Sequence, residues 1–231
     1  MKEKDRFHGK WGRGARRFSV LLQEIVYPEK ALCRACGTVT DGGALCARCR
    51  EKVRSEGFFL AWDRETLADG VTEAWALRPH DGIARQLVIR LKHQAEACLA
   101  EELAGMMDPI PPEVFFPPET VTTWVTMPEN RKRERSIDHG RLLAEAVARR
   151  LGLDCRQLLD RAPGGGKRQV SLSGAQRMEN LRHAFTPREA MNFPVLLVDD
   201  VRTTGTTALR CTEALRKGGA KRVTVLTMTR R

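Results

Sequence analysis

The C-terminal third of the chain limits the choice of folds more than any other part of the sequence. Residues 195–198 are four consecutive apolar residues, a run typical of a strand that is buried on both faces of a parallel sheet. A helical pattern follows over residues 206–217 and ends at two glycines. A second apolar run covers residues 223–228. The order strand, helix, strand predicts a βαβ unit within an α/β domain.

The connection between the first strand and the helix carries the strongest chemical signal in the sequence. Asp199 and Asp200 end the apolar run, and residues 203–207 then read Thr-Thr-Gly-Thr-Thr. Backbone N–H groups, threonine hydroxyls and a helix N-terminus together favour an anion, and Gly205 lets the backbone approach it closely. The carboxylates repel phosphate and suit sugar hydroxyls or Mg²⁺. The pattern therefore predicts a ligand with a phosphate near a diol, such as ribose 5-phosphate, at the carboxyl end of the sheet.

Two other interpretations of this loop are weaker. A helix start capped by solvent explains one threonine and one aspartate, but hardly the whole set. The acidic end of a strand is also found in P-loop ATPases, but the chain contains no G-x-x-x-x-G-K-[ST] motif.

Four of the seven cysteines lie close together near the N-terminus. They form two C-x-x-C pairs, Cys33 with Cys36 and Cys46 with Cys49. Two facing turns of this kind place four thiolates around a tetrahedral Zn²⁺, and because all four positions are filled the metal is structural. Disulfides are the alternative, but three isolated cysteines and an odd total favour a reducing compartment and a metal.

Length and composition set the class of protein. The 231 residues, 42% of them hydrophobic, suffice for one α/β domain and a small appendage. No apolar segment is long enough for a membrane helix, and no secretory signal is visible, so we expect a cytoplasmic protein without membrane insertion. The net charge of +11 favours polyanions, either nucleic acid or phosphorylated metabolites, although a solvated basic surface is the simpler alternative.

The chain divides into three predicted segments. Residues 1–17 form a flexible basic arm, residues 18–56 an amphipathic helix (18–27) with the zinc ribbon, and residues 57–231 the α/β domain. Within that domain, apolar periodicity predicts strands at 71–77, 121–127, 158–160, 195–198 and 223–228, and helices at 81–107, 137–151 and 206–217.

The acidic–threonine loop resembles the phosphoribosyl-pyrophosphate signature of type I phosphoribosyltransferases. The wider pattern resembles the ComF-like family of that class, which is associated with natural competence. His139 stands where that family usually has a glutamine. The pieces that carry the wider resemblance are the C-x-x-C ribbon, Ile89-Arg-Leu-Lys92, Arg131, Arg135-Ser-Ile-Asp-His139, and the spaced residues Gln169, Leu172, Arg177, Asn180 and Phe185.

The resemblance implies a mostly parallel sheet flanked by helices, with an N-terminal zinc ribbon of four cysteines. It implies that Asp199 and Asp200 are the catalytic residues and hold the ribose hydroxyls, and that phosphoribosyl pyrophosphate binds with Mg²⁺. Residues 163–176 form a flap over the ligand or simply an exposed loop. The residues assigned to the 5-phosphate are Thr203, Thr204, Gly205, Thr206 and Thr207, and those assigned to the pyrophosphate are Lys92, Arg131 and Arg135, for which a solvated charge run is the alternative.

Three functions stay open at this point. The first is a phosphoribosyltransferase, an enzyme that transfers a pentosyl group to a nitrogen nucleophile of unknown identity. The second is a regulator that binds phosphoribosyl pyrophosphate without turnover. The third, from the competence association, is an accessory factor for uptake of single-stranded DNA that works with competence proteins. An aromatic content of 6% offers little surface for base stacking.

Overall fold

The computed structural model describes residues 32–40, 43–55, 72–94, 96, 98–108, 116–127, 137–161 and 184–231. The chain forms two compact units, residues 1–50 and 51–231. The basic arm, helix 18–27, Arg131, Arg135 and the 163–176 segment lie outside the described residues, so the expectations for them stay predictions. Among the helices that are described, none is both long enough and apolar enough to cross a membrane.

A five-stranded parallel sheet forms the centre of the larger unit, with strand order β1-β7-β6-β2-β3. The central strand β6 pairs with β7 along its whole length, and its first four residues are almost completely inaccessible to solvent. The predicted mostly parallel α/β sheet is confirmed. Its strands are β1 (Thr72–Pro79), β2 (Val121–Trp124), β3 (Asp154–Cys155), β6 (Val195–Arg202) and β7 (Val223–Arg230), and a separate antiparallel pair is formed by β4 (Leu159–Arg161) and β5 (Phe185–Pro187).

Helices cover both faces of the sheet. The first and third helices after β1 pack on one face, and the second packs against both of them. The last helix packs on the other face together with the β4–β5 pair. This arrangement leaves the carboxyl ends of the parallel strands accessible, and the loops that enter the helices meet there. The helices are α1 (Ala47–Ser55), α2 (Gly82–Gln94), α3 (Cys98–Ala104) followed by a 3₁₀ turn (Gly105–Met107), α4 (His139–Leu151) and α5 (Thr206–Lys217).

The ends of α4 and α5 follow from local sequence signals. The Asp138 side chain accepts a hydrogen bond from the Arg141 backbone N–H (3.1 Å), which caps α4, and Gly152 ends this helix with φ = 68°. Helix α5 covers the predicted range, 206–217. The helix expected at 137–151 is confirmed with its start two residues later.

The single helix expected at 81–107 is wrong, because the chain breaks between α2 and α3. Around the break, the Leu99 N–H donates to the Glu96 carbonyl, and the Glu96 carboxylate accepts from Arg90 Nε (3.1 Å). After the break, Leu99 and Leu103 are buried and α3 packs against α4. Tertiary packing outweighs the continuous helical periodicity here.

Two strand predictions also need adjustment. The strand expected at 195–198 extends to Arg202, because the acidic pair and the two residues after it continue the ladder with β7. The strand expected at 121–127 ends at Trp124. The short strands β3 and β5 were not predicted, since two or three residues are too few to show an alternating pattern.

Candidate functional site

The turn from β6 into α5 is tight and depends on a glycine. Gly205 has φ = 75°, in the left-handed region that favours glycine, and its carbonyl accepts the hydrogen bond of the Leu209 N–H (2.9 Å). A Cβ added at Gly205 would lie 3.2 Å from Arg202 Nε. The predicted order of strand, loop and helix is therefore built around the position where the sequence places glycine.

The threonines line the start of α5, where Thr204 Oγ1 accepts a long hydrogen bond from the Thr206 N–H (3.5 Å). Thr204 Oγ1 and Thr206 Oγ1 lie 2.9 Å apart, while Gly205 occupies the N-cap position and offers no side chain. The first turn of α5 carries no acidic residue. The positive end of the helix dipole thus favours an anion that enters beside the hydroxyls, and such an anion competes with Thr204 for the Thr206 N–H.

A cavity of about 200 Å³ lies against this turn. Its rim is polar, with the Arg202 side chain and the threonines, and its remaining wall is apolar. Arg202 was not predicted as a site residue, and the only sequence signal is a lone cation between the acidic pair and the threonines. The cavity is lined by Ala74, Arg202, Thr204, Gly205, Thr206, Ala208, Leu209 and Val225.

The two adjacent aspartates point to opposite faces of the sheet, because side chains alternate along a strand. Asp200 faces α2 and α4, where its Oδ1 lies 2.9 Å from Lys92 Nζ and its Oδ2 lies 3.2 Å from His139 Nε2. Asp199 lies on the α5 side, where its charge helps to raise the pKa of the buried Cys211 thiol, mainly raised by burial. The sequence predicted Lys92 as a site residue and gave His139 no role.

The surroundings push the pKa values of the two carboxyl groups apart. Burial, with the charge of Asp200 as a second cause, raises the pKa of Asp199 from 3.8 to about 7. Burial acts in the same direction on Asp200, but the hydrogen bond from His139 and the charge of Lys92 outweigh it and hold the pKa of Asp200 below its usual value. At neutral pH Asp200 is ionised, and Asp199 is close to half protonated.

A hydrogen-bonded row ties the end of β1 to Asp200 across β7. Thr229 Oγ1 donates to the Asp200 carbonyl (3.3 Å) and lies 2.8 Å from His80 Nδ1. The hydroxyl has one proton and the carbonyl can only accept, so His80 Nδ1 is assigned as the donor to Thr229. Burial, followed by the charges of Arg231 and Lys92, lowers the pKa of His80, which is therefore neutral at pH 7.

The four clustered cysteines come together in the smaller unit as predicted. Their Sγ atoms all lie within 4.8 Å of one another, and Cys36 Sγ is 3.7 Å from Cys46 Sγ. A tetrahedron with Zn–S bonds of ~2.3 Å has sulfur atoms about 3.8 Å apart, so the spacing fits zinc. All seven cysteines of the chain, each within the described residues, are free thiols.

The two cysteine pairs are held by different local structures. Cys33 and Cys36 lie on a tight turn in which Gly37, at φ = 76°, donates its N–H to the Cys33 carbonyl (2.8 Å). Cys46 directly precedes α1, and Cys49 lies in the first turn of that helix, whereas the sequence predicted a second turn of the first kind. Hydrogen bonds from Thr38 lower the pKa of the exposed Cys36 thiol to about 6, which favours the thiolate that a metal needs.

No protein-family model matches the sequence, and no curated protein matches it. Among solved structures, the chain is similar to the allosteric regulatory enzyme of purine biosynthesis (23% identity, TM-score 0.39, covering 56% of this chain and 25% of that one). It is also similar to the glutamine phosphoribosylpyrophosphate amidotransferase from B. subtilis (22% identity, TM-score 0.37, covering 65% of this chain and 29% of that one). A third similar structure is adenine phosphoribosyltransferase from Leishmania tarentolae (14% identity, TM-score 0.29, covering 59% of this chain and 73% of that one). The chain thus spans between a quarter and a third of the length of the first two. TM-scores this low establish no family, and the function proposed below rests on the geometry of the site.

Proposed function

We propose that this protein binds phosphoribosyl pyrophosphate together with Mg²⁺ and transfers its phosphoribosyl group to a nitrogen nucleophile. The observation that carries the proposal is one juxtaposition at the carboxyl end of the central strand. There, a half-buried carboxylate, Asp199, stands next to a threonine-lined helix N-terminus that carries no acidic residue in its first turn. A ligand with a diol and a phosphate a few ångströms apart, as in a ribose 5-phosphate group, satisfies both.

Each part of the site has a task in this reaction. Residues 203–207 bind the 5-phosphate, and Asp199 accepts hydrogen bonds from the ribose hydroxyls, a task that the sequence assigns to Asp200 as well. The sequence assigns Lys92, Arg131 and Arg135 to the pyrophosphate. As the bond between ribose C1 and pyrophosphate breaks, the nucleophile enters from the opposite side, and the held ribose keeps C1 in line for attack. When bound, Mg²⁺ neutralises part of the pyrophosphate charge.

The zinc ribbon has a structural task in this proposal. Cys33, Cys36, Cys46 and Cys49 hold Zn²⁺ as its four ligands, so no coordination position remains for a substrate. The fit of the sulfur spacing to a tetrahedron supports this assignment.

The finer family assignment is also part of the proposal. The order of motifs supports a ComF-like protein of the cytoplasm that is linked to natural competence. Two alternatives to catalysis follow from that link, a regulator that binds phosphoribosyl pyrophosphate without turnover and an accessory protein for single-stranded DNA uptake. The net charge of +11 is compatible with DNA as a partner.

Calorimetric titration of phosphoribosyl pyrophosphate and Mg²⁺ into the zinc-loaded chain tests the proposal. We expect saturable binding by the wild type and at least about a tenfold loss in Asp199→Asn, the factor for one charge-assisted hydrogen bond. Asp154→Asn is the matched control, because Asp154 is an exposed carboxylate at the start of β3. It lies at the amino ends of the strands, away from the proposed site. No binding by the wild type refutes the proposal.

Release of pyrophosphate then separates the alternatives. Ammonium and the common purine and pyrimidine bases serve as acceptors, and release above the uncatalysed rate supports a transferase. Tight binding without release for any of them favours the regulator. Salt-dependent binding of a single-stranded oligonucleotide that Asp199→Asn retains favours the role in DNA uptake.

A further inference from the structure

We infer that Asp200 is a positioning residue that holds Lys92 and His139 toward the pyrophosphate end of the ligand, while Asp199 alone of the acidic pair contacts the ribose. This inference rests on the proposed function and assigns different tasks to the two carboxylates. It also gives His139 a place in the site.

Both carboxylate oxygens of Asp200 already have partners within the protein. Its N–H donates to Asp199 Oδ1 (2.9 Å), and its carbonyl accepts from Thr229 Oγ1. Its two carboxylate oxygens contact Lys92 and His139, and only 6% of the residue is exposed. A ribose diol therefore has little access to Asp200, and displacing Lys92 or His139 would leave the buried carboxylate without a partner.

Asp199 differs from its neighbour in its contacts and in its exposure. Its Oδ1 accepts the N–H of Asp200. More of its surface is accessible to solvent than that of Asp200. The more exposed carboxylate at the carboxyl end of the central strand is the one that a sugar hydroxyl can reach.

The direction of the ligand follows from the two faces of the sheet. The threonine loop leads into α5 on one face, whereas Lys92 in the last turn of α2 and His139 in the first turn of α4 lie on the other. A ligand with its 5-phosphate at α5 and its ribose at Asp199 directs its second charged group across the end of β6. That group meets Lys92, His139 and the positive end of α4.

The carboxylate of Asp200 keeps Lys92 and His139 together, because each of its oxygens contacts one of the two side chains. Without it, both side chains lose this partner, and the partly exposed Lys92 ammonium turns toward solvent. Lys92 uses one of its three N–H groups on Asp200 and is 26% exposed in its side chain, so it retains donors for a phosphate oxygen. Donors that are fixed before the ligand arrives bind its charge without the cost of reorganisation.

The test compares two ligands that differ in the pyrophosphate. Calorimetry on the full, zinc-loaded chain measures the affinity for ribose 5-phosphate and for phosphoribosyl pyrophosphate, each with Mg²⁺. Asp199→Asn is expected to weaken both ligands by a similar factor. Asp200→Asn is expected to weaken phosphoribosyl pyrophosphate by about tenfold or more and to leave ribose 5-phosphate within about twofold.

Lys92→Met provides a second variant that leaves the Asp200 carboxylate in place on His139. It is expected to lose affinity for phosphoribosyl pyrophosphate but not for ribose 5-phosphate, as Asp200→Asn does. The variant that combines Asp200→Asn with Lys92→Met is expected to lose little more affinity than either single variant, because the two residues act as a unit. A role of Asp200 in stability alone does not produce a loss confined to one of two ligands. Circular dichroism identifies a variant that is not folded, and Lys92→Met then decides.

Three outcomes overturn the inference. If Asp200→Asn weakens the binding of both ligands equally, Asp200 contacts the ribose. Full affinity of Lys92→Met for phosphoribosyl pyrophosphate removes Lys92 from the pyrophosphate. Equal affinity of the wild type for the two ligands refutes the inference while ligand binding at the loop stands, whereas no binding of either ligand refutes the proposed function itself.

Discussion

Replacing Asp199 with asparagine is expected to stabilise the fold at alkaline pH while it weakens ligand binding. The carboxyl group has a pKa of about 7 in the folded protein against an ordinary value of 3.8, mainly because of burial. The folded state therefore holds this proton more tightly than the unfolded chain. The stability that Asp199 contributes is complete below about pH 3.8 and is lost as the pH rises through 7.

The size of the effect follows from the shift in pKa. A difference of about three pKa units between the folded and unfolded states corresponds to about 4 kcal/mol of unfolding free energy. Partial exposure of the side chain to water reduces this, so we expect Asp199→Asn to gain about 2–4 kcal/mol at pH 8 and less at pH 5. The asparagine oxygen still accepts the Asp200 N–H, so the local hydrogen bond is kept.

Urea unfolding of the zinc-loaded chain, monitored by tryptophan fluorescence, measures the free energy of unfolding at pH 5 and at pH 8. Trp75 and Trp124 are buried in β1 and β2 and report on the sheet. Asp200→Asn is the matched control with the opposite sign. It removes the charge between Lys92 and His139 and is expected to cost about 2–3 kcal/mol.

Two results would refute this reasoning. One is an Asp199→Asn protein that is less stable than the wild type at pH 8. The other is a difference between the two proteins that is the same at pH 5 and pH 8, because the gain must grow as the wild-type carboxyl group ionises.

Three further predictions concern the glycines and the metal. Gly205→Ala places a Cβ 3.2 Å from Arg202 Nε at a positive φ, so we expect a loss of about 1 kcal/mol in urea unfolding and a larger than tenfold loss of ligand affinity by calorimetry; unchanged affinity contradicts the role of the turn. Gly219→Ala brings a Cβ into the Met191 carbonyl oxygen, so unfolding should show a loss of about 2–3 kcal/mol while the folded fraction binds ligand normally; a neutral effect contradicts the packing. Elemental analysis should find about one zinc per chain, and Cys33→Ser should lose it; a metal-free protein with intact thiols contradicts the zinc site.

Local sequence signals were sufficient for much of the fold. Residues 195–198 and 223–228 are runs typical of a buried parallel strand, and both form neighbouring strands of the central sheet. The range of α5 follows from its periodicity and its two terminal glycines. The break between α2 and α3 was missed because no proline or glycine marks it; it comes from the packing of α3 against α4.

The site was predictable in its residue types and less so in their contacts. The threonine loop with Gly205 lies where the βαβ pattern predicts it, at the carboxyl end of β6. The grouping of the cysteines followed from their spacing alone. Arg202 was missed because a single arginine after the acidic pair carries no pattern. The neighbours of the two aspartates lie far from them along the chain.

The sequence by itself determined that two carboxylates, a threonine loop and a helix start follow one buried strand, because these features are consecutive and depend on local backbone preferences. It also determined the cluster of four cysteines, since four thiols at that spacing can meet within a short segment. Only the tertiary structure decided that Asp200 pairs with Lys92 and His139 while Asp199 keeps a raised pKa. The physical reason is that burial and charge pairing depend on which helices pack on each face of the sheet, and consecutive residues of a strand face opposite sides.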